Sequence, residues 1–162
     1  MDKEEKEAFA AQEVESRIRA LFRRYMEDMI DREEVTREYA LIKGEERNKK
    51  SIVINFFIEQ FNFQEDNKKL INLLDIAGIE LQGQMRQEME AMQTKFQKEM
   101  EKRRVVMSER VASKLKAMGI EGDGMVPNLE AWNDWEKEVK ALEEVFRGEL
   151  ARWKDRLEEG NQ

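Results

Sequence analysis

The chain of 162 residues contains no cysteine and no histidine. Without cysteine there is no disulfide, no zinc–thiolate centre and no thiol nucleophile. Without histidine the commonest proton carrier and metal ligand at neutral pH is missing. A di-iron site of the four-helix-bundle kind goes with it, because that site is built from Glu-x-x-His pairs. Proline occurs once and glycine eight times, which leaves little material for turns. No apolar run approaches the ~20 residues that span a bilayer. The opening Met1-Asp2-Lys3-Glu4-Glu5-Lys6-Glu7 has neither an apolar core nor a cleavage site, so it is not read as a signal peptide, and the expected compartment is the cytoplasm. Phosphate-cradling loops and the dinucleotide fingerprint are absent. An EF-hand over Glu121–Trp132 fails, since Met125 and Trp132 stand where oxygen ligands are required.

What is present is charge and periodic apolar residues. Charged residues make up 40% of the chain, against roughly 25% in an ordinary globular domain. The eight Phe and three Trp argue against disorder, because that much apolar surface seeks burial. High charge, few breakers and abundant Glu, Lys, Gln, Met and Ala predict an all-α fold.

Four helical stretches follow from the spacing. The first runs from about Lys3 to Lys43, with a stripe through Val14, Ile18, Leu21, Phe22, Tyr25, Met29, Val35, Tyr39 and Ile42 at threes and fours. Gly44 and the polar residues 45–50 interrupt it, with a continuous helix as the alternative. The second, about Lys50 to Phe63, is the most apolar. Ile52, Phe56, Phe57 and Phe61 are its candidate interface residues, buried either in the domain core or against another chain. Short β-branched and aromatic runs also form strands; helix is preferred because no second strand is available to pair with it. The third starts near residues 64–68 and pauses at Gly78-Ile79, where glycine followed by an apolar residue signals a Schellman stop. The same signal recurs at Gly119-Ile120.

Between these stops, residues 80–118 form one long helix that reaches roughly 58 Å at ~1.5 Å per residue. Met85, Phe96, Met107 and Met118 recur every eleven residues, and Met89, Met100 and Val111 form a second column with the same step. An eleven-residue period gives a nearly straight or gently right-handed seam. After a loop at 119–128, a fourth helix opens near Asn128 as N-cap. Its apolar face is Trp132, Trp135, Val139, Leu142, Phe146, Leu150, Trp153 and Leu157.

Residues 85–118 carry nine basic and five acidic groups, and residues 119–162 carry six basic and twelve acidic ones. Opposite charge on neighbouring helices predicts an antiparallel hairpin. The expected architecture is an elongated helical bundle or coiled coil, with N-terminal helices over 1–63 and a hairpin over 64–162. The candidate seam is Met85, Met89, Phe96, Met100, Met107, Val111, Met118, Trp132, Trp135 and Trp153. Methionine suits flexible core filling and also adaptable binding surfaces.

The function expected on this basis is a non-catalytic protein–protein interaction module, such as an adaptor, assembly factor or chaperone-like coiled coil. It would need no cofactor or metal, and it would bind itself as a homodimer and an unidentified protein partner, not a membrane. Two alternatives stand beside it. Glu33, Glu34, Glu38 and Asp75 partly resemble the Mg²⁺-holding pattern of all-helical nucleotide pyrophosphohydrolases of the MazG type, Glu-Glu-x-x-Glu followed by Glu-x-x-Asp. That resemblance implies carboxylates converging from two helices. This chain departs from the pattern at Arg37, where the third Glu would follow Glu34, and at Asn72, where the later Glu belongs. Lys102-Arg103-Arg104 suggests phosphate contact, but successive residues spread around a helix and the net charge is −7, which disfavours nucleic acid.

Overall fold

The computed structural model describes residues 2–119 and 129–161, apart from the side chains of 129–131. All regular structure among the described residues is helical: α1 (Lys3–Met26), α2 (Arg32–Leu41), α3 (Glu46–Gln60), α4 (Lys68–Ile76), α5 (Gly83–Ala117), α6 (Leu129–Glu149) and α7 (Ala151–Gly160). The segment that could have been a strand is α3. The loop at 120–128 and the expected N-cap Asn128 lie outside the described residues.

The single helix expected from Lys3 to Lys43 is instead two. α1 ends at Met26, and Asp28, two residues on, sits at φ 60°. The Asp28 amide donates to the Tyr25 carbonyl at 3.1 Å and the Met29 amide to the Arg24 carbonyl at 2.9 Å. These are the two bonds of a Schellman stop, built on an aspartate because Asp tolerates the left-handed region better than most residues. Asp31 then caps α2 by accepting from the Glu34 amide at 2.8 Å. The stop expected at Gly78 has the same geometry: φ is 73°, Gly78 donates to Asp75 and Ile79 to Leu74, both at 2.9 Å. Gly119 is also left-handed, at φ 77°, and donates to Lys116 at 3.0 Å.

The chain divides into two compact units, residues 1–86 with 150–162, and residues 87–149. The sequence reading divides it at Phe63 instead. In the first unit α3 touches α1, α4 and α7. Its apolar residues point in all directions, as expected of a central helix. Val53, Ile54, Phe56 and Phe57 are buried. Phe56 meets Phe22 edge-on at 5.5 Å, and Phe61 meets Phe57, Phe63 and Trp153, the last at 5.2 Å. The 61–67 turn that delivers Phe61 and Phe63 is closed by Asn62 and Asn67. The Asn67 carbonyl Oδ1 accepts from the Asn62 amide at 2.8 Å, and its Nδ2 donates to the Asn62 carbonyl at 3.0 Å.

Two lysines finish helices in this unit. Lys49, almost fully buried, donates to the Tyr39 and Ile42 carbonyls at 3.1 and 2.9 Å, and its ammonium lies 4.1 Å from the Tyr39 ring centroid. Lys69 does the same for α1, donating to the Tyr25 and Met26 carbonyls and to the Asp28 carboxylate, with the Tyr25 ring beside it. A cation at a helix C-terminus satisfies the orphan carbonyls and complements the helix dipole.

The fourth helix expected from the sequence is also two. α6 ends at Glu149, and α7 restarts after Leu150, whose carbonyl accepts from Trp153 and Lys154 at 3.0 and 3.2 Å. α7 packs on α3 within the first unit, so Leu150, Trp153 and Leu157 serve that core. In the second unit Phe96 of α5 meets Phe146 of α6 edge-on at 5.2 Å. Lys95 pairs with Glu149 at 3.6 Å and Arg103 with Glu138 at 2.7 Å. As residue numbers rise along α5, those of their partners on α6 fall.

Candidate functional site

The apolar seam of α5 is not buried evenly. Met85, Met89, Met92 and Phe96 are buried. Met100, Met107, Val111 and Leu115 are half-buried. Met118 is 72% exposed. α6 shows the matching gradient in the opposite chain direction. Leu142 and Phe146 are buried, Val139 and Trp135 half-buried, and Trp132 is 56% exposed. The pairs that join the two helices, Lys95 with Glu149 and Arg103 with Glu138, lie on the better covered side of both gradients. The less covered parts of the two helices carry exposed Met118 and Trp132 and the half-covered Met107, Val111 and Trp135.

The other apolar candidates lie elsewhere. Phe56, Phe57, Phe61 and Trp153 are each no more than 3% exposed, inside the first unit's own core, and offer no surface to a second chain in this conformation. Ile52 is half-buried. Val105, Val106 and Val145 are exposed, and the sequence reading did not single them out. Val105 and Val106 fall outside the eleven-residue columns. The available signal was their adjacency, since two successive apolar residues on a charged helix cannot both face one narrow seam.

The acidic candidates do not converge. Glu34 pairs with Arg37 along α2. Glu38 faces Arg24 at 3.6 Å, within ion-pair range but too long for a hydrogen bond. Asp75 is held by Arg32, which also donates to Asn72 at 3.0 Å. Among the described residues no group of three His, Cys, Asp or Glu side chains is placed to hold a metal ion. The surface depression on α2, lined by Arg32, Glu33, Thr36 and Arg37, thus has both arginines engaged by acidic neighbours.

The basic triplet is likewise engaged. Lys102 pairs with Glu99, Arg103 with Glu138 and Arg104 with Glu101. No described helix is long and apolar enough to cross a membrane.

One buried titratable group stands apart. The Tyr39 hydroxyl is buried with no hydrogen-bond partner among the described residues. Burial pushes its pKa well above the ordinary phenol value, and the Glu46 carboxylate adds to the shift. Its ring stacks on Phe22 at 5.7 Å, so the side chain is placed for packing. Compared with family models, curated proteins and solved structures, the chain matches none.

Proposed function

We propose that the chain is a non-catalytic helical interaction module, acting without cofactor in a cytoplasmic setting, whose α5 and α6 form an antiparallel hairpin that grips other protein chains at its open end. The supporting observation is the burial gradient. The apolar seam runs on past the point where α5 and α6 cover each other, ending in exposed Met118 and Trp132. Apolar surface of this kind costs solubility unless something covers it, and Trp is the residue most enriched at interface hot spots. Methionines along the seam adapt to different partner shapes. The falling partner numbers along α6 support the hairpin, and an added apolar chain would extend a packing already present between Phe96 and Phe146.

The test compares capture by wild type, by Met118→Ser/Trp132→Ser and by Met29→Ser/Leu41→Ser. The last variant removes exposed apolar surface from α2 and the turn before it. The expected result is that photo-crosslinked partner chains present with wild type vanish with the first variant and persist with the second. Identical crosslinking by all three would overturn the proposal.

A further inference from the structure

We infer that the chain gripped at this open end is a second copy of the same protein, with α5 of each copy lying against α6 of the other. This rests on reading α5 and α6 as a hairpin with an uncovered apolar end, and it adds the identity of what covers it.

The argument comes from how charge is divided between the two helices. From Lys98 to Lys116, α5 carries seven basic and three acidic residues; α6, from Leu129 to Glu149, carries seven acidic and three basic. Intrachain pairing across the two helices engages Lys95 with Glu149 and Arg103 with Glu138. Beyond Arg103 the described residues show no such pairing. Arg110 and Lys114 on α5 have no ion pair with a described carboxylate, and Asp134 and Glu136 on α6 have none with a described cation. All four side chains are exposed, and they flank the same end as Met118 and Trp132.

A partner for this end must therefore present an apolar face with cations along one side and anions along the other. An acidic chain would be drawn to α5 and repelled by α6, and a basic chain the reverse. A second copy meets both demands at once. Two-fold symmetry sets basic α5 beside acidic α6 twice, and the same patch serves on both sides, as an isologous dimer requires. The overall charge of −7 on each copy opposes association, but that long-range term is screened beyond about 8 Å at physiological salt, whereas the complementary strips act at contact distance.

The experiment measures the mass of the full chain in solution by light scattering and sedimentation equilibrium. Two charge-reversed variants are compared, Arg110→Glu/Lys114→Glu on α5 and Asp134→Lys/Glu136→Lys on α6, with circular dichroism to confirm unchanged helicity. Wild type is expected to be a dimer. Each variant alone should dimerise at least about tenfold more weakly, because like charges then face each other across the interface. An equimolar mixture of the two should restore a dimer of mixed composition, since at positions 110, 114, 134 and 136 one copy is then acidic on both helices and the other basic on both. A wild type that stays monomeric at high-micromolar concentration overturns the inference. So does a mixture that fails to reassociate, which would assign these charges to packing within one chain. In either case partner capture that still depends on Met118 and Trp132 leaves the interaction-module reading standing, whereas loss of that dependence removes it separately.

Discussion

The two units use the same kinds of apolar residue to different ends. In the first, α3 is touched by α1, α4 and α7, and its aromatic rings meet others from several directions, Phe56 against Phe22 and Phe57 against Phe61. In the second, Phe96 of α5 meets Phe146 of α6, and burial falls from Phe96 to Met118 and from Phe146 to Trp132. A helix buries one face against one neighbour; burying a wider apolar surface takes a further layer. The first unit has that layer within the chain. Among its described residues the second shows no such layer, and that is the physical basis for proposing that another chain provides it.

The difference is sharpest at matched truncations. Phe56→Ala removes a ring that is 1% exposed and should cost about 3–5 kcal/mol, through lost transfer energy and the cavity left behind. Met107→Ala removes a half-buried side chain and should cost under about 1 kcal/mol, like other sites of partial exposure. Urea denaturation of each variant at low protein concentration checks both. If Met107→Ala proves as damaging as Phe56→Ala in the monomer, the contrast between the units fails. If its cost rises with protein concentration, the seam is covered by association.

A smaller effect probes one of two imperfect spots among the described residues of the first unit, the other being the buried Glu38 Oε2, which has no hydrogen-bond partner there. Tyr39 carries a buried hydroxyl without a hydrogen-bond partner among the described residues, and leaving such a group unsatisfied costs about 1–3 kcal/mol. Tyr39→Phe keeps the ring under Lys49 and beside Phe22 and should stabilise the protein by about 1 kcal/mol. The raised phenol pKa adds a pH signature. The unfolded chain releases this proton near the ordinary value of 10.0, while the folded chain holds it to higher pH. The contribution is therefore fully present below that value and is lost as pH rises above it toward the folded pKa. Thermal melts from neutral to alkaline pH should show a fall in wild type that Tyr39→Phe lessens. A variant less stable than wild type at neutral pH would show that the hydroxyl has a partner after all.

Much of this was legible in the residues. The all-helical fold follows from charge, Gly and Pro content. The stop at Gly78 follows from glycine's freedom at positive φ, and its bonds form as the motif requires. The stop at Asp28 was hidden because it uses aspartate in the same role. Asp31 followed by Glu34 was a readable helix start, masked by an apolar stripe that runs in phase across the break from Tyr25 to Val35. The helical state of α3 was obscured by its central position, since a helix apolar on all sides loses the 3.6-residue stripe that would identify it. The end of α6 at Glu149 was not readable, because Leu150, Trp153 and Leu157 continue the spacing of Leu142 and Phe146 while changing the unit they serve. The seam residues of α5 were found by their period, but periodicity carries no information on cover. Nothing in the spacing distinguishes buried Phe96 from half-buried Met107.

The smallest expected effect separates the units by their ion pairs. Arg19 in the first unit grips Glu59 with two hydrogen bonds, at 2.6 and 3.1 Å, and a third donor reaches Glu15 at 3.1 Å. The Arg19 side chain is 18% exposed, and hydrogen bonding to Glu59 leads the upward shift of its pKa. Arg103 in the second unit meets Glu138 through one bond at 2.7 Å, with both side chains more than a third exposed. Bidentate geometry and partial burial strengthen a pair, while exposure and salt weaken it. Double-mutant cycles to alanine should give roughly 0.5–1 kcal/mol for Arg19–Glu59 and about 0.3 kcal/mol for Arg103–Glu138. The second value should shrink further in high salt. A larger, salt-resistant coupling at Arg103–Glu138 would mean that water is excluded there in solution. That result would place the cover over α5 and α6 as far out as residue 103, and the open end would begin beyond it.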